Sequence, residues 1–410
     1  MSFVRPRVLI LVQNEPAPSD RHVWNQATAL ERNGYDVTII CPKGQDRDRD
    51  EHERRDGVEI HRYTPRVAEG GAVSFGLEYL WALRQTRRLA RRLARDQPFD
   101  LVHATSPPDF MLLSALSLRR RGARFVFDHH DLTPELFASR FGREGGLVHR
   151  ATLAAEQIAF RLADVVLSVN ESYRKVALSR GRRRPQDVFV VRTGPDLSRF
   201  VAREPEPELK HGRAHLLSYV GVMGPQDGVD HALRALAALR RRRDDWHATF
   251  MGSGDVLEEM RALAASLGLD DVVDFTGWVE HDFISRVLST SDVCLAPDPK
   301  SPLNDVSSMV KISEYMAMSR PMVSYDLMES RAAAGDAALY ASDEEDFARL
   351  VDELLDDPAR RASMGALGRE RAEEMLAWEH QERSLLAAYD RALGHAERKI
   401  EQPVSVLSAG

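Results

Sequence analysis

Cysteine is almost absent: Cys41 and Cys294 are the only two among 410 residues, and each sits in an apolar, strand-like run. Two isolated thiols exclude a disulfide framework and a cysteine-based zinc site, and they suit a reducing compartment. Long hydrophobic runs are missing too. The N-terminal stretch MSFVRPRVLILVQNEP holds an apolar run of only five or six residues, too short for a signal-peptide core or a membrane span, so a cytoplasmic location is expected. Charge of one sign is also lacking. Lysine and arginine number 56 against 63 aspartates and glutamates, a net charge of −7 that gives no reason to expect nucleic acid as a partner.

What is present is a two-domain α/β pattern. A chain of 410 residues exceeds one ordinary core, so two domains are the natural division. RVLILV (7–12) is short, β-branched and continuous, as a strand covered on both faces would be. It gives way to the polar loop QNEPAPSD, then to RHVWNQATALERNGY with helical spacing, then to the strand DVTIICP. VEIHRY, DLVHAT, RFVFDHH and DVVLSVN continue the alternation. The polar, proline-bearing segment VAREPEPELKHGRAH (201–215) is the expected linker, and a second strand–helix series follows it: LLSYVGVMG, WHATFMGSG, VVDFTGWV, VCLAPDP, PMVSYD and AALYAS. The alternation predicts two doubly wound, Rossmann-like domains with parallel sheets. Facing each other, they would place a site at the carboxyl ends of the strands.

Those strand ends are where polar residues carry information. RFVFDHHDLTPEL sets Asp128, His129, His130 and Asp131 directly after a strand. Neighbouring residues point to opposite sides and lack zinc-ligand spacing, so hydrogen bonding to a substrate is expected there and a metal is not. SYVGVMGPQDGVD, FMGSGD and FTGWV bring Gly221, Gly224, Gly252 and Gly277 to successive strand ends, where small residues let backbone amides approach a phosphate. The spacing matches neither a dinucleotide fingerprint nor a P-loop. NDVSSMVKISEYMAMSRP (304–321) reads as a buried helix, yet it carries Lys311 and Glu314 one turn apart. Ser307 or Ser308 is expected to cap it. A cation in the first turn opposes the helix dipole unless an anion is near, so Lys311 points to a diphosphate. Glu314 would repel that anion and suits the paired hydroxyls of a ribose. The plainer alternative is a surface Lys–Glu pair.

DRHVWNQATALERNGYDVTIICP, VVRTGPDLSRF, YVGVMGPQDGVD, FTGWV and KISEYMAMSRPMV, in this order along the chain, resemble the retaining glycosyltransferases of family four, which have the GT-B fold. The likeness runs from Arg7 to about Leu393. It implies an N-terminal acceptor domain (1–203), a C-terminal nucleotide-sugar domain (204–377), a helix packing back on the first domain (378–396) and a disordered tail (397–410). By resemblance Glu314 binds the nucleotide ribose, and His130 contacts the transferred sugar. Gly221 and Gly224 approach the diphosphate, Gly252 and Gly277 border the nucleotide, and Asp20, Arg21 and Asp131 line the acceptor side. The family's first glutamate, eight residues before Glu314, is Val306 here, with Asp305 the nearest carboxylate. Its two diphosphate-binding cations are Val222 and Asp227, so Lys311 is expected to neutralise the diphosphate.

The implied reaction moves a sugar from a nucleoside diphosphate sugar to a hydroxyl of a sugar or lipid-linked acceptor, with retention and without a cofactor or metal. Polysaccharide, glycolipid or lipid-linked oligosaccharide assembly is the implied setting. YLWALRQTRRLARRLARD (79–96) is basic and amphipathic. It is either a core-facing helix with a solvated arginine face or a contact for an anionic membrane at the inner face of the cell membrane. Two rivals share the fold: a sugar-nucleotide epimerase, which turns over without an acceptor, and a non-catalytic nucleotide-sugar-binding subunit, which binds donor without transfer.

Overall fold

The computed structural model describes residues 5–44, 48–66, 71–141 and 145–394. The chain divides into two compact units, one built from residues up to Thr193 together with the segment from Glu379, the other from Gly194 to Trp378. The tail at 397–410 lies outside the described residues.

Unit 1 carries eight strands: β1 (Arg7–Leu11), β2 (Asp36–Pro42), β3 (His52–Arg55), β4 (Val58–Tyr63), β5 (Leu101–Thr105), β6 (Arg124–His129), β7 (Val165–Ser168) and β8 (Val188–Val190). Their order across the sheet is β3-β4-β2-β1-β5-β6-β7-β8. All pairs are parallel except β3 with β4. The centre is apolar on both faces: Val8, Leu9, Ile10, Val102, Phe125 and Phe127 are fully buried. That is why these strands read as continuous rather than alternating runs. The helix Trp378–Leu393 closes this unit. Tyr389 Oη lies 2.7 Å from His103 Nδ1, Ser384 donates to the Val190 carbonyl and Arg391 pairs with Asp187 at 2.9 Å.

Unit 2 is a six-stranded sheet, wholly parallel, of β9 (His215–Val220), β10 (Trp246–Met251), β11 (Val273–Gly277), β12 (Val293–Ala296), β13 (Met322–Tyr325) and β14 (Ala338–Ala341). Its order is β11-β10-β9-β12-β13-β14. The residues after Thr193 already belong to this core. Phe200 is buried beside Leu216 and Ile284, its carbonyl accepts from Arg369, and Arg203 N–H donates to Ser289 Oγ. The chain therefore changes units ahead of the proline-bearing segment.

Two glycines in unit 2 are required by backbone packing. A Cβ on Gly252 (φ +134°) would lie 1.9 Å from the Gly221 carbonyl oxygen, and one on Gly228 (φ +67°) would lie 2.0 Å from that of Pro297. Gly221 N–H bonds to Met251 and Gly252 N–H to Gly277, so the ends of β9, β10 and β11 are stitched edge to edge.

Candidate functional site

In unit 1 the polar focus is Asp128, at the carboxyl end of β6. Its Oδ2 lies 2.7 Å from His22 Nε2, 2.9 Å from Gln26 Nε2 and 3.3 Å from His103 Nε2. An ionised carboxylate only accepts, so both histidines present Nε2–H to it. Their Nδ1 atoms face the hydroxyls of Thr193 (2.9 Å) and Tyr389 (2.7 Å). Burial alone would raise the Asp128 pKa, but His22 and His103 outweigh it and hold the carboxyl well below its usual range. Burial likewise opposes charge on His22, yet Asp128 lifts its pKa above the ordinary histidine value. The His22 ring lies against the partly exposed His130, with centroids 4.8 Å apart.

At the ends of β1, β2 and β4 lies a cavity of about 210 Å³ lined by Gln13, Asn14, Lys43, Tyr63, Glu78 and Trp81 among others. Gln13 Nε2 donates to Glu78 Oε1 across it at 2.8 Å. An apolar groove of about 420 Å³, lined by Gly76, Leu77, Tyr79, Leu80 and Phe110, runs along the same helix, Gly71–Leu93. Tyr79, Leu80 and Trp81 belong to the amphipathic segment that the sequence marks; the other lining residues carry no such signal.

In unit 2 the segment after β12 turns through Asn304–Val306, straightens, and enters the helix Val310–Ala317. Lys311 and Glu314 are both buried, 7% and 9% exposed, amid Ile312, Tyr315 and Met316. Lys311 Nζ sits 2.6 Å from Asp298 Oδ1 and 5.2 Å from the Tyr219 ring centroid. Asp227 completes the group. Burial, with Asp298 adding and Lys311 opposing, pushes its pKa up to about 6.

Residues 19–199 match Glycosyltransferase Family 4 and residues 214–357 match Glycosyl transferases group 1. The chain is a family four glycosyltransferase. It is 28% identical over 335 residues to the 2-deoxystreptamine glucosyltransferase of Streptomyces kanamyceticus, covering 78% of this chain and 84% of that protein. A 30% identical match to the alpha-D-kanosaminyltransferase of the same organism spans 36% of this chain and 38% of that protein. HepE of Anabaena, crystallised with UDP-glucose, superposes with a TM-score of 0.72 at 14% identity over 94% of this chain and 99% of HepE, which shows the GT-B fold. The enzyme is a nucleotide-sugar-dependent glycosyltransferase.

Within this glycosyltransferase the expected site residues fall into distinct settings. His130 and Asp131 are partly exposed, and Ser106 Oγ accepts from both of their backbone amides. Asp128 and His129 are instead buried, because the pleat turns His129 into the core against Phe160 and Tyr173. Of these four polar residues, Asp128 and His129 end β6 and are buried, and only His130 and Asp131 keep exposed surface. Asp20 caps the helix Arg21–Arg32, accepting from Val23 N–H at 3.0 Å, while Arg21 is exposed in its first turn.

The serine cap expected for the Val310–Ala317 helix does not form. Met309 is the N-cap, no side chain caps it, and Ser307 Oγ donates to the Leu303 carbonyl because the chain turns at Asn304–Val306 first. Nor do Lys311 and Glu314 form a surface pair, since Lys311 turns to Asp298 across the loop. Asp305 accepts from Met328 N–H at 2.9 Å, tying its loop to the next helix. Gly224 N–H donates to Asp227 Oδ2, and Gly221, Gly252 and Gly277 form the stitched strand ends. His22, Asp298 and Tyr219 were missed, because each gains its meaning only from a partner far along the chain.

Three groups of described residues bring potential metal-ligand atoms within 4.8 Å: His22–Asp128–His130, His52–Glu59–His61 and His211–His247–Asp274. In the first, Asp128 Oδ2 already meets three side chains. In the other two the rings stack face to face, 24° and 20° apart, so their in-plane lone pairs do not converge on one ion.

Proposed function

We propose that the enzyme transfers a hexose-type unit with retention, binding the donor's nucleotide in unit 2 and the hydroxyl acceptor in unit 1. The observation that carries this reading is the pairing of a buried cation and a buried carboxylate, Lys311 and Glu314, one turn apart after β12. Burying a charge costs several kcal/mol, about 2–5, unless a partner offsets it, and Lys311 has such a partner in Asp298. Glu314 suits the ribose hydroxyls. Lys311, with Asp298 on one side and Gly221 on the other, suits the charge that grows on the leaving diphosphate. His130 is the group in unit 1 assigned to the transferred sugar, and His22 and Asp128 hold it in place.

A lipid-linked acceptor is favoured by a further observation. The helix Gly71–Leu93 contributes to both a polar cavity, through Glu78 and Trp81, and an apolar groove, through Leu77 and Leu80, which suits a molecule with a polar head and a hydrocarbon chain. Glycolipid or lipid-linked oligosaccharide assembly is the matching setting.

Steady-state kinetics with varied donor test the assignment. Glu314→Ala is expected to raise the donor KM about tenfold or more, the loss of a charge-assisted hydrogen-bond pair, while kcat changes less. Lys311→Ala is expected to lower kcat about 100-fold with a smaller change in KM. Donor kinetics unchanged in both variants would remove the assignment.

A further inference from the structure

The unit 2 cluster holds one cation against two acids. Lys311 and Asp298 form a buried pair, 7% and 2% exposed at the side chain, so the ammonium is matched before any ligand arrives. The other Asp298 oxygen, Oδ2, is buried with no hydrogen-bond partner. Asp227 stands beside this pair, partly exposed. Its Oδ2 is pinned by Gly224 N–H at 2.8 Å and Gln226 Nε2 at 3.2 Å, which leaves Oδ1 for a ligand. Among the described residues, the charged or titratable groups that face it are Lys311 from the Val310–Ala317 helix, Asp298 from the loop after β12 and Tyr219 from β9. The Tyr219 hydroxyl is pushed well above its usual range by burial, then by Asp298 and Asp227, so it stays neutral.

This arrangement has no spare positive charge for a diphosphate. An ionised Asp227 would face the incoming anion with its like charge while Lys311 is already shared. The same carboxyl in its acid form offers an O–H to a phosphate oxygen and removes the repulsion.

We propose that the enzyme takes up one proton as it binds its nucleoside diphosphate donor, held on Asp227 Oδ1 as a neutral acid that hydrogen-bonds the diphosphate. The proton comes from solvent and returns to it when the nucleotide leaves. The inference rests on the reading that this cluster is the donor site. It makes Asp227 the residue that sets how donor affinity responds to pH. With its pKa raised to about 6, the carboxyl is mostly ionised at neutral pH, so affinity falls as the pH rises above that point.

Isothermal titration of the full chain with UDP-glucose, GDP-mannose and ADP-glucose tests it. In these diphosphodiesters neither phosphate titrates near neutrality, so the ligand adds no slope of its own. For the tightest binder, Kd is expected to rise about tenfold per pH unit above about pH 7. Buffers of different ionisation heat should report an uptake approaching one proton. Asp227→Asn should flatten the profile, abolish the uptake and bind more tightly than the parent at about pH 8. The uptake measured on the parent protein needs no variant. A pH-independent Kd, uptake that survives Asp227→Asn, or affinity that depends on added magnesium and is lost in chelator, would each overturn the proton. Failure of every nucleotide sugar to bind, or binding that Glu314→Ala leaves unchanged, would instead overturn the donor site itself.

Discussion

Asp128 shows how much a single side chain can organise. It is fully buried, it stays ionised, and it fixes the tautomer of two histidines on different elements, His22 and His103. Because its pKa is depressed on folding, it contributes stability above the ordinary carboxylate range and loses that contribution as the pH falls toward its folded value. His22 has the opposite sign. Its raised pKa contributes stability below the usual histidine value, and that contribution is lost as the pH rises through the folded one. Asp128→Asn keeps an amide oxygen but removes the buried charge that both rings face, and it is expected to cost about 3–5 kcal/mol of unfolding free energy by denaturant titration. It should also lower kcat, because His22, the ring that His130 rests against, loses its charged anchor. Undiminished stability and turnover would show that the node is dispensable. The motif DHHD was visible as a strand-end cluster, but its partner was not. His22 lies 106 residues upstream of Asp128, and nothing local joins them. The same holds for Lys311, whose burial could be read from its neighbours while its counter-ion Asp298 could not.

Among the elements, the Gly71–Leu93 helix departs most from the bland expectation for an amphipathic segment. Leu83, Leu89, Ala82 and Ala90 face the core. Its outer stripe runs Leu77, Leu80, Trp81, Arg84, Arg87, Arg88, Arg91, all exposed, so it is apolar at one end and cationic at the other. Leu80 is 60% exposed. A stripe segregated along its length suits an interface that is hydrocarbon at one level and phosphate at the next. No helix among the described residues is long and apolar enough to cross a membrane. Co-sedimentation with phosphatidylglycerol-containing vesicles is expected to exceed that with phosphatidylcholine alone. Leu80→Asp combined with Arg87→Glu should lower the bound fraction severalfold, since each arginine near an anionic surface contributes about 1 kcal/mol. Equal binding to both vesicles would end the idea.

All six strands of unit 2 were legible, the inner β9, β10, β12 and β13, which are buried almost throughout, and the partly exposed edge strands β11 and β14. β3 was not, because its sequence, HERR, is charged and it is a mostly exposed edge strand. Its hairpin had a local sign, the Asp56–Gly57 pair with both φ positive, between strands in Arg55↔Val58 register. β8 is only three residues long and falls below what periodicity can register.

For the whole molecule, the division into two α/β units followed from length and strand–helix rhythm, but where the chain changes units did not. The proline-bearing segment looked like a linker, yet Phe200 and Arg203 already pack in unit 2, and composition carries no trace of that. The last helix is an integral part of unit 1. It buries Leu385 and Tyr389 completely, and Gln381, Ser384 and Arg391 bond to residues at 192, 190 and 187. A chain ending at Ala377 is therefore expected to lower the melting temperature of unit 1 by about 10 °C or more, given about 2 kcal/mol for each large side chain exposed. In differential scanning calorimetry the unit 2 transition should move far less. Equal shifts in both would contradict this.

That arrangement also sets an order of events during synthesis. The 185 residues of unit 2, from Gly194 to Trp378, emerge between the body of unit 1 and the helix that completes it. At the translation rate of about 5–20 residues per second, the face of unit 1 that receives Tyr389 stays uncovered for roughly 10–40 s. Throughout that interval His103 and Asp187 lack their final partners, while unit 2 already has its whole sequence before the closing helix arrives. The second half of the nascent chain can thus reach its native state before the first half does.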